Sequence, residues 1–331
     1  MSQNPRPVRG RFAPTPSGEL HIGNAWTALL SWLQIRSANG TFILRMEDID
    51  TQRSRPHLAK QILDDLYWLG LDWDEGPDVG GPFGPYTQSE RTEYYEHALS
   101  QLDEKGYLYR CFCSRADLLA AARAPHGLSS EGPAYPGTCR NLSSEEAARK
   151  ALEKEPSLRF RVGHERLVFR DGIAGMQTFD AAAGGDFIVR RADRMISYQL
   201  AVVVDDHMMR ITDVLRGADL LDSVPRQLLL YKALGMEAPS FAHVPLFMGP
   251  DGKRLAKRLA KRHGGTSLAA LRESRTAPER VIGWLMWLAG LLPEPEPLSA
   301  RECIPLFRLD KLPSEPIVIT ADMLSRLQGA S

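Results

Sequence analysis

"RFAPTPSGELHIGNAWTALLSW", from Arg11 to Trp32, carries an apolar strand end through two prolines and two glycines into a helix rich in tryptophan and leucine. Junctions of this kind usually hold a glycine-rich phosphate cradle, G-x-G-x-x-G or G-x-x-x-x-G-K-[ST], and this stretch fits neither. It still brings His21, Ile22, Gly23 and Asn24 to a helix N-terminus, whose unpaired N–H groups attract an anion. Taken alone, His21 reads first as a helix cap and the prolines as stiffeners of a turn. The same imidazole can also reach a phosphate.

Outward from this junction, "VRGRFAP" reads as a short buried strand and "NAWTALLSWLQIRSANG" as a helix closed by Asn39-Gly40. "TFILRMEDID" alternates as a second strand that ends in acidic residues. Strand, helix, strand predicts a βαβ unit, hence a parallel sheet with ligands at the carboxyl ends of its strands. Helices "PHLAKQILDDLYWLGLDW" and "ERTEYYEHALSQLDEKG" follow. Between Tyr107 and Ser197 the pattern changes to a cysteine cluster, a small helix "SSEEAARKALEKE" and short strands such as "SLRFRV" and "LVFRDGI", which together read as an insertion. "YQLAVVVDDHMMRITDVLRGADLLDS" resumes buried-strand character, with "QLAVVVDDH" as the strand. After Lys261 the pattern is helical, interrupted by "PEPEPLS". The expected divisions are 1–106, the first half of a catalytic α/β domain; 107–197, the insertion; 198–262, the second half; and 263–331, a helical appendage.

Lys+Arg and Asp+Glu both number 41, so affinity for nucleic acid must come from local patches and not from a global field. The N-terminus has no apolar leader segment and no run reaches the length of a membrane span, so a soluble cytoplasmic protein with no membrane partner is expected. Among 331 residues there are four cysteines; Cys111, Cys113 and Cys139 fall in one short stretch while Cys303 is isolated. Clustered thiols suggest a metal, against the plainer reading of reduced buried cysteines.

One local basic patch stands out. "GPDGKRLAKRLAKRHGG", from Gly249, sets lysines and arginines beside a Gly-Pro-Asp-Gly turn. Charge runs are commonly solvated helix faces, but a lysine loop flanked by glycines also suits a clamp on phosphate oxygens. Paired with His21, it would bracket a nucleotide.

With these segments in view, the sequence resembles the class I aminoacyl-tRNA synthetases. "FAPTPSGELHIGNA" is similar to their HIGH signature and "DGKRLAKR" to their KMSKS loop, while "RFAPTPSG", "LRMEDIDTQRS", "DDHMMRITDVLRGADLL" and "YKALG" are similar to the glutamyl branch, over about Arg9 to Gly290. The resemblance implies a Rossmann-type parallel sheet with an inserted zinc-bearing α/β subdomain and a short C-terminal helical appendage. It also implies ATP, with Mg²⁺, as a substrate that activates glutamate to an adenylate before transfer to RNA. His21 and a loop lysine, Lys257 or Lys261, would stabilise the leaving pyrophosphate, with Gly23 and Asn24 beside the ATP. The tandem "LAKR" leaves the lysine open: counting from "GPDG" selects Lys257, counting from "HGG" selects Lys261.

For glutamate the resemblance implies Arg11, Phe12, Ala13, Pro14 and Thr15, with Arg216 as a second carboxylate partner, Glu47 for the ammonium and Tyr198 as a hydrogen-bonding group. Glu47 has a plainer reading as the partner of Arg45 or Arg53, and Tyr198 as a packed strand residue. The family's zinc-bearing members have Cys-x-Cys then Tyr-x-x-x-Cys, which implies one structural zinc on Cys111, Cys113, Tyr135 and Cys139, with His126 as the alternative fourth ligand. Little follows the basic loop, so no anticodon-binding domain is expected. In this the chain resembles the glutamyl-Q tRNA(Asp) synthetases, a branch that attaches glutamate to the queuosine base at the wobble position of tRNA(Asp). A monomer is expected. The alternatives are a catalytic core that charges tRNA(Glu) and a non-catalytic RNA-binding paralogue, the latter disfavoured because the signature residues are present.

Overall fold

The computed structural model describes residues 6–114, 116–117, 135–255 and 267–328. Its first elements follow the βαβ expectation: β1 (Arg9–Phe12), α1 (Ile22–Ser37), β2 (Thr41–Leu44), then α2 (Pro56–Trp68) and α3 (Thr92–Glu104). Next come β3 (Leu108–Cys111), α4 (Ser144–Ala151), β4 (Ser157–Phe160), β5 (Arg166–Asp171), β6 (Gly175–Asp180) and β7 (Phe187–Arg190). The chain continues through α5 (Tyr198–Met208), β8 (Asp213–Gly217), α6 (Val224–Leu234), β9 (Ser240–Val244) and β10 (Phe247–Met248). It closes with α7 (Leu268–Glu273), α8 (Pro278–Leu288), α9 (Ala300–Cys303), β11 (Ile317–Val318) and α10 (Ala321–Gln328).

The main sheet has the order β2-β1-β8-β9-β5-β6, parallel except for the antiparallel edge strand β6. The period-two alternation of strands assigns neighbouring residues to opposite layers. Leu44, Leu215 and Ala242 pack with α1 and the helices after the basic loop, whereas Ile43, Val214 and Phe241 pack with α3, α5 and α6. Gly10 lets α1 approach β1 closely, since a Cβ there would stand 2.4 Å from the Ile35 side chain. The buried indoles of Trp26 and Trp32 donate to Pro245 O and Asp72 O, so neither leaves a stranded N–H. A second, antiparallel sheet has the order β3-β4-β7.

Two expectations are corrected. "QLAVVVDDH", read as a strand, lies in helix α5, capped by Ser197, whose side chain accepts from Leu200 N. Residues Gln199–Asp206 are all buried, so the helix shows no polar stripe and its valines mimic a strand. The strand in this segment is β8. The second correction concerns "LVFRDGI": its strand β5 and the hairpin partner β6, expected inside the insertion, join the main sheet through Asp171 opposite Phe241. Among the described residues no helix is long and apolar enough to cross a membrane.

Candidate active site

On one side of β1 the chain winds to β2, and on the other side lies β8, so the strand order reverses at β1. Ligands of open α/β sheets settle outside the carboxyl ends of strands at such a point. A cleft of about 520 Å³ opens there, and Arg11, Phe12, Ala13, Pro14 and Thr15 form part of its wall. His21, Gly23, Asn24, Glu47, Tyr198 and Arg216 line the same cleft. Lys257, Lys261 and His126 lie outside the described residues.

His21 is the N-cap of α1. Its Nδ1 accepts from Gly23 N at 3.0 Å, and Asn24 Oδ1 accepts from His21 N at 3.0 Å, a reciprocal capping box. Burial holds the imidazole below its ordinary pKa, so the ring is neutral at pH 7. With Nδ1 accepting, the single ring proton belongs on Nε2, which makes that atom a hydrogen-bond donor.

Below the cleft the charges interlock. Arg11 Nε donates to Asp206 Oδ1 at 3.2 Å, and Arg45 donates to the same oxygen at 2.7 Å and to Glu47 Oε1 at 3.0 Å. Asp206 stays below the usual carboxylate range because Arg11 and Arg45 together outweigh its burial. Glu47 is pushed up by burial, against the pull of Arg45 and Arg11. Asp205, the neighbouring acid, accepts from Arg91 Nε at 2.6 Å, Gln88 Nε2 at 2.8 Å and Tyr95 OH at 2.9 Å. Such pairs fix their members in one geometry, because removing one partner strands a buried charge.

Arg216 is different. Its side chain is buried, donates to His243 Nε2 at 3.0 Å and Gln227 Oε1 at 2.8 Å, and lies 3.4 Å from Tyr198 OH. It makes no ion pair among the described residues. Burial lowers its pKa, yet a guanidinium remains charged at neutral pH. A second cation, Arg254, reaches Asp219 Oδ2 at 3.1 Å at the cleft wall.

Away from the cleft, Cys111, Cys113 and Cys139 place their sulfurs within 4.8 Å of one another. The Cys113 and Cys139 sulfurs are 3.7 Å apart, close to the edge of a tetrahedron built on Zn–S bonds of about 2.3 Å. Tyr135 OH stands 3.4 Å from Cys111 Sγ and 3.6 Å from Cys113 Sγ and accepts from Cys139 N at 2.8 Å. The phenol oxygen thus faces the same centre as the thiols, and the donor set fits zinc. Cys303 is buried elsewhere, in the layer shared with α1.

The sequence model described as tRNA synthetases class I (E and Q), catalytic domain, matches residues 7–291. The chain belongs to this family. The synthetase is 61% identical over 323 residues to the glutamyl-Q tRNA(Asp) synthetase of Symbiobacterium thermophilum, covering 97% of this chain and 99% of that one. It is 47% identical to the glutamyl-Q tRNA(Asp) synthetase of Nitratidesulfovibrio vulgaris, covering 97% and 98%. Its fold matches the crystal structure of the glutamate-tRNA synthetase from Elizabethkingia anophelis with a TM-score of 0.85 at 33% identity, over 97% of this chain and 70% of that one.

Within the synthetase, the motif residues on the described segments line one cleft. The partner of Glu47 is Arg45, and Tyr198 occupies the first turn of a helix instead of a strand. The sequence reading named Arg45 only as a partner for Glu47, and Asp206 and His243 were missed. The paired aspartates ending an apolar run were a usable signal for Arg45 and Asp206, since buried acids need buried cations. His243, in "FAHVP", has no partner at recognisable spacing.

Proposed function

We propose that the synthetase condenses L-glutamate with ATP to glutamyl-adenylate and transfers the glutamyl group to the queuosine base of tRNA(Asp). The observation that carries the first half is Arg216, a buried cation on the cleft floor with no carboxylate of its own among the described residues. An anionic substrate supplies that missing charge, with the bidentate geometry a guanidinium favours. Arg11 serves the second carboxylate, and Glu47, ionised beside Arg45, takes the ammonium. Tyr198 hydrogen-bonds the substrate. The backbone of Phe12 to Thr15 walls the amino-acid side of the cleft.

In the activation step the glutamate α-carboxylate oxygen bonds to the α-phosphorus of ATP as the bond to pyrophosphate breaks. The requirement is alignment and charge stabilisation, with no covalent intermediate on the protein. His21 Nε2–H donates to the phosphates at the N-terminus of α1, beside Gly23 and Asn24, and a lysine of the basic loop, Lys257 in this reading, would add positive charge to them. Mg²⁺ carried in with ATP would neutralise phosphate oxygens. Cys111, Cys113, Tyr135 and Cys139 would hold a zinc ion, which supplies structural bracing between β3 and the segment before α4.

The second half is supported by the 61% and 47% identity to two glutamyl-Q tRNA(Asp) synthetases. The test is transfer of labelled glutamate to purified tRNA(Asp) with and without queuosine, alongside tRNA(Glu). Label on queuosine-bearing tRNA(Asp) alone is expected. Label on tRNA(Glu) alone would contradict the proposal and mark a glutamate–tRNA ligase.

A further inference from the structure

Behind Arg216 stands a chain of buried groups that the activation chemistry above does not use. Arg216 in β8 and His243 in β9 are register partners, and Asp171 at the end of β5 pairs with Phe241 of β9. Three adjacent strands therefore set Asp171, His243 and Arg216 in a row. Arg216 Nε lies 3.0 Å from His243 Nε2, and His243 Nδ1 lies 2.6 Å from Asp171 Oδ2. The side chains of His243 and Asp171 have no exposure to solvent.

Hydrogen-bond chemistry fixes the protons. A guanidinium can only donate, so His243 Nε2 must offer its lone pair, and the ring proton sits on Nδ1, donated to Asp171. The Asp171 carboxylate is itself pinned: its other oxygen, Oδ1, accepts from the backbone N–H groups of Ile173 and Ala174, each at 2.9 Å, and of His243 at 3.1 Å. A doubly protonated ring would set N–H against N–H at Arg216. Burial and the neighbouring Arg216 and Arg11 cations keep the ring neutral in spite of Asp171.

The identity of this partner matters for the ligand. A carboxylate in place of His243 would orient Arg216 equally well but would cancel its charge. A neutral acceptor orients it and leaves the charge for the ligand. We propose that His243, with its tautomer set by Asp171, is a positioning residue that aims Arg216 at the side-chain carboxylate of the substrate while leaving it uncompensated, and so sets the preference for glutamate over glutamine. Glutamine presents an amide whose N–H groups meet the guanidinium donors face to face, a mismatch that penalises the wrong substrate. The inference rests on the reading of the cleft as a glutamate site.

Asp171→Asn tests it. The three N–H groups hold the amide oxygen in the place of Oδ1, so the amide nitrogen must face His243 Nδ1 and donate to it. The ring proton then moves to Nε2, against Arg216. Nitrogen NMR of histidine-labelled protein should find the His243 proton on Nδ1 in the wild type and on Nε2 in the variant. Calorimetric affinity for glutamate should fall at least roughly tenfold, as for a lost charge-assisted hydrogen bond, with ATP affinity within about twofold. A purely structural role would weaken both ligands together.

Should Asp171→Asn fail to fold, His243→Gln and His243→Leu take its place. The glutamine keeps an acceptor near Nε2 and should bind glutamate at least roughly tenfold more tightly than the leucine variant. His243→Glu should weaken glutamate and raise the use of glutamine relative to it. A wild-type ring protonated on Nε2, unchanged glutamate affinity in Asp171→Asn, or equal affinities in the Gln and Leu variants would overturn the proposal. If the wild type carries its proton on Nδ1 but binds no glutamate, the reading of the cleft fails and the specificity claim fails with it, while the Asp171–His243 tautomer stands.

Discussion

A histidine at a helix start can direct its ring at the backbone or at a ligand, and in His21 the two nitrogens divide these tasks. Nδ1 caps α1 through Gly23 N, which leaves Nε2–H for an anion. The cap and the phosphate readings of the sequence are therefore compatible. Arg216 has no such double duty. Replacing it with alanine should remove about 3–5 kcal/mol of interaction with a buried substrate carboxylate, a loss of roughly a hundredfold or more in glutamate affinity. Circular dichroism should find the fold intact, since Arg216 ties no carboxylate among the described residues. Unchanged affinity for glutamate would refute its role. Arg11, Glu47 and Arg216 were legible because each sits inside a motif; His243 was not, because a lone histidine in an apolar strand carries no spacing signal and its partners come from two other strands.

Among the elements, β1, α1 and β2 were legible from periodicity and from Asn39-Gly40, which ends α1 where expected. Helix α5 was not, because burial on all sides erases the helical stripe and a run of valines then reads as a strand. A different buried group lies where α2 meets α7. Asp65 on α2 is fully buried, neither carboxylate oxygen receives a hydrogen bond among the described residues, and Arg272 of α7 approaches only to 3.5 Å. Burial raises its pKa from 3.8 to about 6. The folded state then holds the proton more tightly than the unfolded chain, so stability falls as pH rises from about 4 to about 6 and is flat above. Asp65→Asn should accordingly raise the melting temperature at pH 7.5 and leave it unchanged near pH 4. An equal loss at both pH values would mean that the Arg272 pair dominates.

The loop after β10 is tied as far as Leu255, whose N–H donates to Phe247 O, and Gly249 N donates to Lys253 O. Counting from "GPDG", at that end, selects Lys257 as the lysine to test. Lys257→Ala should slow adenylate formation by orders of magnitude, as loss of a transition-state charge contact does, and Lys261→Ala should weaken tRNA binding in a salt-dependent way. Loss of pyrophosphate exchange in Lys261→Ala instead would place the extra residues before the catalytic lysine. The cysteine cluster makes a parallel claim for the segment after β3: metal analysis of protein purified without chelator should give about one zinc per chain, and a content near zero would return the thiols to packing alone.

At the scale of the whole molecule, a chain with equal numbers of acidic and basic side chains, 41 of each, has no general attraction for RNA. What it has is a parallel sheet whose order reverses at β1, a cleft at that reversal, and four arginines beside it of which, among the described residues, Arg216 alone lacks a carboxylate: Arg11 and Arg45 share Asp206, and Arg254 meets Asp219. The sheet and the site were readable together because the same loop that ends β1 also begins α1 and walls the cleft. This cleft is expected to activate glutamate. ATP–pyrophosphate exchange with each amino acid in turn, without RNA, tests it most directly. Exchange with glutamate alone is expected; exchange with another amino acid, or with glutamate only after tRNA(Glu) is added, would overturn this assignment of the cleft.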